Sequence, residues 1–182
     1  MKRKGLWLIV SLVVFGSIFW LSRTVEYVDE TYEGLLFQVG EGNEDLEEIV
    51  TVELDGEFIN HMFSDERFEG TMTIDGVIHP AETASADVLE ITFVEDGFRR
   101  GDVTYIDRDG DALQSIGHLH MSDDFSELTI QVWGEDIHNT PELGSWTSDD
   151  GHVISAPASD REEGLEVLNR LVSPIFDGYE YN

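Results

Sequence analysis

Apolar and polar side chains alternate at every second position in several stretches of this chain, and that period restricts the fold to sheets with one buried face. Val50, Val52 and Leu54 share one face within residues 49–54. Phe68, Met72 and Ile74 do so within 68–74, with Gly70 between them and Glu69, Thr71 and Thr73 opposite. Leu89, Ile91 and Phe93 align within 88–94, and Leu128, Ile130 and Val132 within 127–133 against Glu127, Thr129 and Gln131. Antiparallel sheets carry this pattern. Further strands are expected near 35–39, at 102–106, at 113–121 and at 152–155, the last ended by Pro157. Asp-Gly pairs at 55–56, 75–76, 96–97 and 109–110 each stand beside an alternating run. Such pairs supply the positive φ values that tight hairpin turns need. The expectation is a mainly β domain, an antiparallel meander closing as a barrel or folding as a two-layer sandwich.

One helix is expected after the strands. Ser159-Asp160-Arg161-Glu162 has capping-box spacing, with Ser159 bonding the Glu162 amide. Leu165, Leu168, Leu171 and Val172 follow at helical spacing and predict a C-terminal helix over about 160–172, halted by Pro174. Gly164 weakens that helix by up to ~1 kcal/mol relative to alanine. Residues 40–47 and 134–151 read as loops and the tail 176–182 as loose.

The N-terminus has a different character. Lys2, Arg3 and Lys4 form a basic flank at 1–4, and residues 5–22 carry no charge until Arg23. A bilayer core needs about 20 apolar residues, with about 17 as a lower limit, so 5–22 reads as a transmembrane helix. Bulky Ile18, Phe19, Trp20 and Leu21 occupy the places where a cleavage site needs small residues, so an uncleaved signal-anchor is favoured over a cleaved signal peptide or a buried helix. The basic flank places the N-terminus in the cytoplasm and the rest outside a cell membrane, as a single-pass protein. Residues 23–34 read as an acidic stalk and 35–182 as the extracytoplasmic domain. With no cysteine, that domain is not a disulfide scaffold, which is ordinary for a bacterial surface protein.

Charge narrows the partners. The chain has 39 acidic and 10 basic residues, and four of the basic ones lie within 1–23. Residues 24–182 therefore hold six arginines against all 39 acids, a formal charge of −33. Nucleic-acid binding requires basic side chains facing phosphates, and six scattered arginines supply no patch. The acids are spread along the chain, which suits either a saline or alkaline habitat or a cationic partner. At 41% hydrophobic and 10% aromatic, with clear periods, the chain is not disordered.

Chemical motifs are sparse. Asp107, Asp109 and Asp111 alternate beside Gly110 and are the nearest approach to a calcium loop, although Ala112 and His118 stand where an EF-hand requires glycine and glutamate. A hairpin turn explains the same residues. His118 and His120 fall on one strand face but lack the further ligands of a zinc site, and they read as solvent-facing. Arg99 and Arg100 read as partners for nearby carboxylates, and Phe125, Trp133 and Trp146 as core or binding-surface aromatics. Neither GxSxG nor HExxH nor a phosphate-cradling glycine loop occurs, so no catalytic or cofactor-binding residue is expected. The sequence favours a non-catalytic binding or interaction module with a protein or cell-wall partner. A calcium-responsive surface domain and a surface hydrolase are the alternatives.

Overall fold

The computed structural model describes residues 16, 23–61, 64–75, 88–93, 99–106, 112–133 and 146–182. The span expected at 5–22 lies outside these residues apart from Gly16, and among the described residues no helix is long and apolar enough to cross a membrane.

Eight strands run in chain order: β1 (Arg23–Gln38), β2 (Glu47–His61), β3 (Ser64–Asp75), β4 (Val88–Thr92), β5 (Arg99–Ile106), β6 (Ala112–Met121), β7 (Leu128–Val132) and β8 (His152–Ala156). Each is antiparallel to the next, and β8 returns to pair with Leu35–Gln38 of β1, closing a barrel. Of the two layouts open from the sequence, the barrel is the one formed. Its inward positions, among them Val52, Leu54, Phe68, Met72, Ile91, Leu119, Ile130 and Ile154, make one contiguous buried cluster. An eight-stranded lumen is just wide enough for side chains to fill.

One end of the barrel is sealed by aromatics under a cation. Phe58 meets Phe125 edge-on at 5.1 Å and lies 5.7 Å from Phe93. The Arg99 guanidinium sits 4.4 Å from the Phe58 ring centre and 4.8 Å from that of Phe125, a cation–π arrangement. Arg99 Nε also reaches Glu66 at 3.2 Å, as its reading as a carboxylate partner expects. The Tyr32 hydroxyl donates to the Phe125 carbonyl at 2.6 Å, tying β1 to this plug.

The helix α1 (Arg161–Val172) packs on the outside of the wall, followed by a 3-10 turn at Ser173–Phe176. Leu35, Phe37, Val39 and Val153 point outward from β1, β8 and the residue after β1, and they form a second apolar cluster with Leu168, Val172, Ala158 and Tyr181. The buried stripe of α1 is Gly164, Val167, Leu168 and Val172, with Leu165 and Leu171 only partly covered.

Several local expectations change. The stalk expected at 23–34 is part of β1, paired along its length with β2. Asp55-Gly56 is no turn. Gly56 lies inside β2 opposite Gly70, and a Cβ on either would sit 2.8 Å from the tip of the Phe68 ring. The glycines leave room for that ring at a close strand crossing. The cap of α1 is shifted by one residue: Asp160 accepts from the Glu163 amide, and Glu163 reaches back to the Ser159 amide at 2.9 Å. The tail is held rather than loose, since Tyr181 is buried and its amide donates to Asn169 Oδ1 at 2.7 Å.

Candidate functional site

With the lumen lined by apolar groups, polar chemistry is carried by the outer surface. A cleft of about 460 Å³ opens between α1 and the barrel wall. Ile49, Pro157, Ala158 and Val167 supply apolar surface, and Glu33, Glu163 and Glu166 supply carboxylates. Glu127 also lines it, held by Arg170 Nε at 2.8 Å. Glu163 is fixed by its hydrogen bonds from the Ser159 amide and hydroxyl at 2.9 and 2.7 Å. The cleft can bind a cationic or amphipathic group.

At Glu33 the cleft meets the edge of β1. The Ala158 amide donates to the Glu33 carbonyl at 3.2 Å, after which the chain turns away into α1. From Thr24 to Thr31, β1 pairs with β2, and no described residue pairs with its other side. Apart from Val28, which is buried in the barrel core, this portion is open to solvent: Val25 is 46% and Tyr27 65% exposed, and Glu26, Asp29, Glu30 and Thr31 are exposed too. The Tyr27 hydroxyl donates to Asp55, and that hydrogen bond raises its pKa above the ordinary tyrosine value.

The histidines separate. His118 is exposed, its Nδ1 2.5 Å from Asp102 Oδ1 and its ring edge-on to Trp133 at 4.8 Å. His120 is buried, contrary to expectation, with Nε2 3.0 Å from Gln131 Oε1. Gln131 and Thr129 are buried beside it because the C-terminal segment covers this wall, with Tyr181 bonded to Gln131. Phe125 belongs to the barrel plug, and Trp146 packs on the outer cluster while donating to the His152 carbonyl at 3.0 Å. Arg100 lies partly buried on β5, opposite His120.

Asp107, Asp109 and Asp111 lie outside the described residues, between Ile106 and Ala112, which are paired across the β5–β6 hairpin. Among the described residues, no group of three or more histidine, aspartate or glutamate side chains is placed to hold a metal ion. Near the plug, Asp124 accepts from the Ser122 and Ser126 hydroxyls at 2.9 and 2.6 Å and from the Ser126 amide at 3.1 Å. The Ser126 hydroxyl, ahead of the Ser126 amide and Ser122, pulls its pKa down to about 2.

The sequence singled out the histidines and Arg99. It missed the edge and the cleft, whose only trace was the acidity of 26–33. No protein-family model, curated protein or solved structure matches this chain.

Proposed function

We propose that the chain is a single-pass membrane protein that displays its acidic barrel outside the cell membrane as a non-catalytic binding module. The observation that carries this reading is the junction at Arg23. The basic flank and the uncharged run 5–22 lead directly into β1, and every acidic residue of the protein follows. A basic start and a run of that length favour an N-terminus held in the cytoplasm. The barrel end holding the Arg99 plug then lies nearest the bilayer, because β1 enters from there.

Protease added to intact cells should remove the barrel, and cross-linking on those cells should capture a protein or wall polymer. A chain found in the cytosolic fraction, shielded from outside protease, would refute the placement. Repeated failure of cross-linking would count against the binding module.

A calcium-responsive domain is the second reading. Asp107, Asp109 and Asp111 alternate within the five residues that separate β5 from β6 in sequence. Alternate aspartates can converge on one hard cation. Calorimetry with calcium, with and without the three aspartates changed to asparagine, decides it: no heat in either case removes the reading.

A further inference from the structure

We infer that the exposed edge of β1 is a docking site for an extended, basic polypeptide segment, which adds to the barrel as a further strand and ends in the cleft beside α1. This rests on the reading of the barrel as a binding module and names where and what it binds.

The edge follows from the register. A strand residue's N–H and C=O point to the same side, and the side changes with each residue. The Glu33 carbonyl points toward β8, where it accepts from Ala158. By that alternation the backbone groups of Val25, Tyr27, Asp29 and Thr31 point the same way. β8 cannot reach them, because its last residue is Ala156 and α1 begins at Arg161. A run of such groups is a template for another strand, and native proteins restrict its use with charge or cover.

Here the restriction is selective. Glu26 and Glu30 project from one face of the exposed segment and Asp29 and Glu33 from the other. Directly opposed side chains on neighbouring strands have Cβ atoms about 4.5–5.5 Å apart, so like charges repel and opposite charges attract. An acidic or neutral strand gains nothing there, whereas lysine or arginine on either face of an incoming strand finds a carboxylate. A second copy of this chain is opposed by the −33 charge of residues 24–182 on each molecule. Past Glu33 the same strand would enter the cleft, where Ile49 and Val167 offer apolar contact and Glu163 and Glu166 a negative rim. Backbone hydrogen bonds give affinity in this mode, and alternate side chains give specificity.

The test uses the full chain in detergent micelles. The probe is a labelled twelve-residue peptide alternating lysine and valine, followed by fluorescence anisotropy at roughly 50 mM salt, where screening is weak. One control is the same peptide with two valines replaced by proline, which keeps its charge but removes two backbone donors. The second control alternates glutamate and valine. The host variant is Asp29→Pro, whose lost N–H points away from β2 and leaves the β1–β2 ladder intact.

Expected are binding of the lysine peptide alone, affinity about tenfold weaker with either proline change, and slowed hydrogen exchange at the Val25, Tyr27, Asp29 and Thr31 amides. Equal affinity for the proline peptide, or no protection at those amides, would mean charge attraction without strand addition and overturns the inference. If Asp29→Pro fails to fold, the proline peptide and the exchange pattern still decide. Absence of peptide binding, beside a partner cross-linked elsewhere on the barrel, rejects the edge as the site and leaves the binding-module reading standing.

Discussion

Helix propensity and close packing make opposite predictions for Gly164→Ala. Alanine in a helix interior is favoured over glycine by up to ~1 kcal/mol. Gly164, however, is on the buried stripe of α1, and a Cβ there would lie 2.7 Å from Cε1, 3.2 Å from Cδ1 and 3.3 Å from Cζ of Phe37. That ring is fully buried in the outer cluster, and the Arg161 guanidinium lies 5.6 Å from its centre. It cannot give way without displacing its neighbours, and overpacking of this kind costs about 1–3 kcal/mol. The net expectation is a loss of about 1 kcal/mol, which for a chain of this size lowers Tm by about 2–4 °C. Thermal unfolding of the full chain in detergent measures it. The same substitution in a Phe37→Leu background should be neutral or stabilising, and the double-mutant cycle should return a coupling of at least ~0.5 kcal/mol. A rise in Tm for Gly164→Ala in the native background, or the same change in both backgrounds, would refute the packing argument.

Burial pushes the Tyr32 hydroxyl up to about 12, from an ordinary value near ~10. Its folded pKa is raised, so its contribution is complete below pH ~10 and is lost as pH rises toward 12. Tyr32→Phe should flatten that alkaline limb in unfolding measured against pH, while costing about 1–3 kcal/mol near neutrality through the orphaned Phe125 carbonyl. Asp124 has the opposite sign. Its pKa is depressed to about 2, so its contribution is complete above the unfolded value of ~3.9 and is lost as pH falls through 2. Asp124→Asn should flatten the acid limb of Tm against pH, and an unchanged limb would show that the Ser126 contacts do not hold in solution. Self-repulsion of the net charge of −29 should make Tm rise from low salt toward ~1 M sodium chloride, where the Debye length is ~3 Å; a flat or falling profile would contradict it.

Most strands were legible because their cause is local. The alternations at 49–54, 68–74, 88–94 and 127–133 fall within β2, β3, β4 and β7, at most a residue or two past their ends, since one buried face writes itself into neighbouring residues. The C-terminal helix was legible for the same reason, and its cap missed by one residue because both Ser159 and Asp160 can fill that role. The early part of β1 was hidden by its exposure: with acids on both faces from Glu26 to Glu33, only Val28 and Tyr32 record the inward side. Asp55-Gly56 carried a turn signature, and only the Gly70 partner and the Phe68 ring identify it as a tight crossing.

Residue order settled the period of each segment, the acidity of the domain and the apolar start, because those depend on side chains a few positions apart. Closure of the barrel, the cover that Tyr181 gives Gln131, and the stretch of β1 whose outer side no described residue pairs arise from how distant parts of the chain meet. Leu35 meets Ser155 only after the meander has wound through its full course, and Tyr181 meets Gln131 only once the tail has come back across the wall. Where β8 stops short of Thr31 is a matter of strand lengths and register around the barrel, and no local pattern of residues encodes it.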